Sequence, residues 1–216
     1  MALGGTVVTV GPDVGVVERQ LRSGELRCPD CHGVLRPWGR ARPRTLRSDL
    51  YSAGPVERLV PRRSVCASCE RTHVLSPLTV LSRRADAAEV IGAALLVRAR
   101  GWGYRRVAAR AGRATSTVRG WLSRMAANAE RVCTAFTRLV HELEADPAPV
   151  APAGSALADA VAAVGAGAAA VRRRFGVAVV VVSAWQVAAA LTHGRLLAPA
   201  PPTKLINTSW HLAGSP

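Results

Sequence analysis

CASCERTHVLSP, residues 66–77, opens with two cysteines two residues apart, and CPDCHG at 28–33 carries the same spacing upstream. Cys28, Cys31, Cys66 and Cys69 therefore form a CxxC–x34–CxxC array. A CxxC knuckle turns both sulfurs to one side of a tight bend, and Pro29, Gly33, Ala67 and Ser68 are residues that suit such a bend. Two knuckles supply four thiolates, the closed tetrahedral set of a structural Zn2+ site. The spacer exceeds the commonest zinc-ribbon spacing and is long enough for a hairpin plus an insertion. His73 and His32 stand as reserve ligands. Four thiolates leave no open position for water, and no Glu sits close by as in zinc deaminases, so the expected ion is structural. A thioredoxin-like couple would need one CxxC beside a βαβ pattern, which is absent. Cys133, inside an amphipathic stretch, reads as a small buried hydrophobe.

Downstream, residues 85–128 read ADAAEVIGAALLVRARGWGYRRVAARAGRATSTVRGWLSRMAAN. The periodicity predicts three helices, about 86–100, 104–111 and 115 onward. GWG breaks the first from the second, and Gly112 occupies a tight turn that asks for a left-handed residue. Val107, Ala108 and Ala111 form the inner face of the second helix. Val118 and Leu122, with Trp121 beside them, do so for the third. That third helix is the one expected in a DNA major groove.

Arg98 to Arg124 contains eight arginines and no acidic residue. A solvated helix face normally mixes signs, so the stretch points to an anionic partner. Thr115, Ser116, Thr117, Arg119, Ser123 and Arg124 are the DNA-facing candidates on the third helix, with Arg119 expected to read guanine by a bidentate contact. Arg105, Arg106, Arg110 and Arg113 are expected on phosphates.

GRATSTVRGWL at 112–122 resembles the turn and recognition helix of transposase and recombinase helix-turn-helix domains, through Gly112, Ser116, Thr117, Val118, Trp121 and Leu122. Ala114 stands where a capping Ser is common, and Gly120 where many relatives have a basic residue. The wider order of the two CxxC pairs, THVL, RRADAAEVIGAAL, STVRGWL and INTSW resembles a family of small actinobacterial proteins. These join a zinc ribbon to a helix-turn-helix and are classed as a domain of unknown function. The resemblance implies an accessory DNA-binding protein of mobile elements.

Val118, Leu122, Met125, Ala129, Val132, Phe136, Leu139 and Leu143 recur at alternating steps of four and three, a 3.5-residue apolar repeat. This 118–143 seam either pairs with its copy in a homodimer or packs on a helix of its own chain.

The formal charge is +15 and the pI near 11.4. Lys204 is the only lysine among 29 basic residues. GC-rich coding inflates Ala, Gly, Pro and Arg without functional cause, but it does not explain the scarcity of acids or the clustering of arginines. Nucleic acid is the expected partner. A nuclease or transposase centre would need carboxylates gathering metal ions on a folded sheet, and the 14 acidic residues are scattered. No catalytic role is expected. An RNA-binding zinc protein would want exposed aromatics, which are 4% of the chain. An adaptor for a transposase, with incidental DNA contact, is the alternative.

The expected fold is mainly α. A zinc-ribbon-like β module with an N-terminal strand (TVVTV) and helix (Asp13 to Ser23, stopped by Gly24) spans 1–80, and the helix-turn-helix with its extended third helix spans 81–145. A Pro-rich linker at 146–154 leads to a helical segment at 155–198 and an extended tail at 199–216. Within 155–198, Ser183 is the expected cap of a last helix ended by Gly194. VAVVVV at 177–182 is ambiguous between strand and buried helix, and Trp185 is read as core. No signal peptide or membrane span is read, so the expected location is cytoplasmic, on the nucleoid.

Overall fold

The computed structural model describes residues 6–48, 56–176 and 182–199. It contains six helices and a small mixed sheet among those residues. Most of VAVVVV and the INTSW tail lie outside the described residues.

The chain opens with β1 (Thr6–Val10) and α1 (Val14–Ser23). Asp13 caps α1 by accepting from Val16 N at 2.9 Å, and Gly24 closes it. Strand β2 (Leu35–Arg40) follows the first cysteine knuckle. A hairpin of β3 (Arg44–Arg47) and β4 (Val56–Leu59) comes next, then β5 (Arg62–Cys66) and β6 (Thr72–Pro77). The main sheet has the order β1-β6-β5-β2. β1 runs parallel to β6, and the other two pairings are antiparallel. The long spacer thus holds the β2/β5 pair plus the β3/β4 hairpin as its insertion. Val10, Val17, Leu21, Cys28, Leu35, Cys66 and Leu75 make a small core beneath the sheet.

The insertion leaves that sheet and packs on the helices. Leu46 is 4% exposed and belongs to the helical core. Arg47 N donates to Ala85 O at 2.8 Å, and Ala87 N donates back to Arg47 O at 2.9 Å. The expected boundary near residue 80 is stitched as well, by Ala88 N on Thr79 O and Ser82 N on Gly194 O at 2.8 and 2.7 Å.

Helices α2 (Ala88–Ala99), α3 (Tyr104–Ala111) and α4 (Thr115–Leu143) form a trihelical unit. Gly112 takes φ 59 at the α3–α4 turn, the left-handed conformation for which glycine carries no Cβ penalty. α4 is 29 residues long, about 43 Å at 1.5 Å per residue. After the Pro-rich linker, α5 (Ala156–Phe175) runs along α4, and α6 (Ala184–Leu191) packs on α2 and α5. Ser183 caps α6 with a capping box.

This packing joins the helices into one core. The seam of α4 is filled within the chain: Val118, Met125, Ala129, Val132 and Phe136 share one core with Ala160, Val164, Ala168 and Val171 of α5. Packing on a helix of its own chain is one of the two alternatives the repeat allowed. Trp185, Val187 and Leu191 of α6 belong to that same core. Among the described residues no helix is long and apolar enough to cross a membrane.

Candidate metal centre and nucleic-acid face

Each knuckle is closed by the same pair of backbone bonds. Cys28 N donates to Gly33 O at 2.8 Å and Cys66 N to Arg71 O at 2.9 Å; His32 N donates to Cys28 O at 2.9 Å and Glu70 N to Cys66 O at 3.1 Å. The residue after each second cysteine is left-handed, His32 at φ 60 and Glu70 at φ 58. Such a conformation costs a non-glycine residue on the order of 1 kcal/mol, and it persists where the surroundings over-determine it.

The knuckles bring the four sulfurs together. Sγ of Cys28 lies 3.7 Å from that of Cys69, and Sγ of Cys31 lies 3.4 Å from that of Cys66. All four lie within 4.8 Å of one another and can hold a metal ion. Disulfide sulfurs would be about 2 Å apart. Thiolates at about 2.3 Å from a tetrahedral ion lie about 3.8 Å from one another, so the donor set fits such an ion.

The thiols are unequal. Cys66 is pulled down to about 6, first by the Cys69 amide, against burial and with help from the Ser68 amide. Those amides lie 3.5 and 3.4 Å from its sulfur. Cys31 is pushed up to about 12. The Gly33 amide acts on it in the lowering sense, but the sulfurs of Cys66, Cys69 and Cys28, together with burial, outweigh it. Burial raises Cys28. Without a cation four adjacent thiols cannot all ionise, whereas a bound cation lowers every one of them.

His73 on β6 is fully buried, with Nε2 3.4 Å from Cys28 Sγ. Burial holds its imidazole below the usual value, with Asp30 opposing and Arg71 reinforcing. Its ring is thus placed to donate to a Cys28 thiolate, and it forms a second potential ligand group with Cys28 and Asp30. His32 belongs to neither group among the described residues.

On α4, Thr115, Ser116, Arg119, Ser123 and Arg124 are exposed and Thr117 is half-buried. Arg124 Nη1 folds back to donate to Gly120 O at 2.8 Å. Ala114 provides no side-chain cap, so nothing from that position covers the first-turn amides of α4. Arg119 and Ser123 line one wall of an open groove whose other walls carry Arg98, Arg100 and the start of α5. Arg105, Arg106 and Arg110 are exposed on α3.

Trp102, not singled out by the sequence reading, organises this basic face. The guanidinium of Arg106 sits 3.6 Å from its ring centroid and that of Arg110 5.9 Å, a cation–π arrangement. Arg98 Nη1 donates to Trp102 O at 2.9 Å. The i, i+4, i+8 spacing of Trp102, Arg106 and Arg110 was the signal available in the sequence.

Arg113 is corrected. Its side chain is 4% exposed and pairs with Asp86, 5% exposed, at 2.5 Å. Its Nη1 also donates to Ala111 O and Gly112 O, both at 3.2 Å. This arginine fastens the α3–α4 turn to the start of α2 and is not presented to phosphate. Arg173, in the basic cluster at the end of α5, pairs with Glu144. Cys133 is half-buried against the core, as expected of a small hydrophobe, and burial raises its thiol.

No protein-family model, curated protein or solved structure matches this chain.

Proposed function

We propose that this chain is a zinc-containing, sequence-specific double-stranded DNA-binding protein, accessory to transposition or regulating a mobile element. The observation that carries the reading is the α3–turn–α4 unit. The first turns of α4 are polar, basic and exposed, while the opposite face of the same helix is buried in the core. That is the geometry by which a recognition helix enters a major groove. Arg119 is the base reader, and Arg105, Arg106 and Arg110 neutralise phosphate. The Trp102 stack supports the last role, because a guanidinium already held over a ring loses less freedom on binding. Zn2+ is the ion best suited to four clustered thiolates in a closed site, and its role is to hold the N-terminal module rigid. The mobile-element setting, with a transposase as the protein partner, rests on the two resemblances, of GRATSTVRGWL and of the wider order of motifs, alone.

The test is a selection of the purified protein against random duplex DNA at near-physiological salt, followed by affinities of two variants. An enriched motif is expected. Arg119→Ala should flatten the preference, losing roughly 1–3 kcal/mol of discrimination at one base pair. Arg106→Ala should weaken all duplexes alike and reduce the salt dependence. Salt-sensitive binding with no enriched motif would leave the arginines serving phosphate only and would give the adaptor reading the lead.

A further inference from the structure

Strand β2 turns nearly all of its side chains to solvent: within Leu35–Arg40 only Leu35 is buried. It is an edge strand, paired on one side by β5. Its ladder is broken in the middle. Pro37 faces Ser64 and Gly39 faces Arg63, neighbours on β5, so Trp38 is the extra residue of a β-bulge. Bulges re-aim a side chain at the expense of local pairing. Gly39 has φ 127, a region that L side chains rarely adopt, so the bulge is written into the sequence.

Trp38 is 60% exposed. The bulge that presents it is braced from behind: Arg62 Nη1 donates to Gly39 O at 2.9 Å, while its Nη2 donates to Glu18 Oε2 on α1 at 3.3 Å. An indole left in water on a braced bulge contributes nothing to the core beneath it. The sequence around it is cationic. Residues 27–47 hold six arginines and one acid, Asp30, and Asp30 pairs with Arg71 at 3.2 Å. Arg36 and Arg40 stand two residues to either side of Trp38 in the same strand, both exposed, and Glu18, behind the bulge, is paired with Arg62.

This chemistry selects among occupants. An added β-strand is disfavoured, because Pro37 has no amide to donate and charged side chains line the edge. A protein core would want a contiguous apolar patch. A nucleic acid with unpaired bases fits: the indole face stacks on a base while flanking guanidinium groups meet phosphates. Duplex DNA fits less well, since its bases are already stacked on one another.

We propose that β2 is a single-stranded DNA contact, with Trp38 stacking on an unpaired base and Arg36 and Arg40 holding the adjoining phosphates. The site is separate from α4 and does not rest on the duplex reading.

The test uses the full chain and fluorescence anisotropy with a labelled oligo(dT) of about 12 nucleotides, a length within the range of single-strand site sizes. Wild type should bind. Trp38→Ala should weaken binding about tenfold, the scale of one lost base stack, and Trp38→Phe should retain most of the affinity. Metal content and Tm should be unchanged in both, since the ring is exposed. Trp38→Ala binding oligo(dT) as tightly as wild type would overturn the proposal, as would a wild type that binds duplex but not oligo(dT). Arg119→Ala keeps the two readings apart: loss of duplex preference with oligo(dT) affinity intact concerns α4 alone.

Discussion

Arginine is the residue on which the functional reading turns, and its side chains divide by burial. Arg105, Arg106 and Arg110 stand exposed on α3, whereas Arg113, three residues past Arg110, is enclosed with Asp86. A buried ion pair offers little net stability over an apolar pair, but removing one partner strands the other charge at a cost of about 3–5 kcal/mol. Arg113→Ala should therefore lower Tm and lose DNA binding with it, while Arg106→Ala weakens DNA binding at unchanged Tm. Arg113→Met combined with Asp86→Leu should recover most of the stability. Thermal unfolding followed by circular dichroism reads all three, and an unchanged Tm in Arg113→Ala would return that residue to the phosphate contacts.

Between elements, the closest packing is carried by a position that looks incidental in the sequence. Gly92 lies in the middle of α2, where alanine would favour the helix by about 1 kcal/mol. A Cβ there would sit 2.1 Å from the Trp185 ring of α6. Overpacking of this kind costs about 1–3 kcal/mol, so the clash outweighs the propensity gain. Gly92→Ala should be net destabilising in urea unfolding, and less so when Trp185 is also made smaller. Asn128 holds the same region from α4, with Nδ2 donating to Leu196 O and Ala198 O at 3.0 and 2.9 Å. An isolated polar residue on a long helix gave no sign of this in the sequence.

For the whole molecule, the division that counts is between two cores. The helical core draws on all of α2 to α6, whereas the core beneath the sheet has seven buried residues, two of them the ligand candidates Cys28 and Cys66. So small a core would lean on a metal ion bound by these cysteines, where binding free energy is folding free energy. Chelation, or Cys66→Ser, should release the metal and speed amide hydrogen exchange across β1, α1, β2, β5 and β6. The α2–α5 core should stay protected. Acid should act in the same direction, because protons compete with the ion for thiolates. Cys66, pulled down to about 6, stays ionised to lower pH than Cys28 or Cys31, whose thiols are raised. Full metal retention in Cys66→Ser would move the fourth ligand to His73.

The sequence by itself determined whatever is local in the chain. The CxxC spacing placed four sulfurs in two knuckles, Gly112 marked the turn, Asp13 and Ser183 marked helix starts, and the 3.5-residue repeat gave α4 its length. Each of these rests on residues within a few positions of one another, where backbone geometry alone sets the outcome. Tertiary structure decided what those elements face. The repeat on α4 states that one side must be buried, but a stripe of apolar residues satisfies a second copy and α5 equally well on paper. Arg113 and Arg110 are the same residue type in the same basic run, and only the position of Asp86, 27 residues earlier, makes one a buried clasp. Trp38 carries no local signal of its exposure, which only the β2–β5 register and its bulge bring out. Burial and pairing are set by distant partners, and no short-range pattern encodes them.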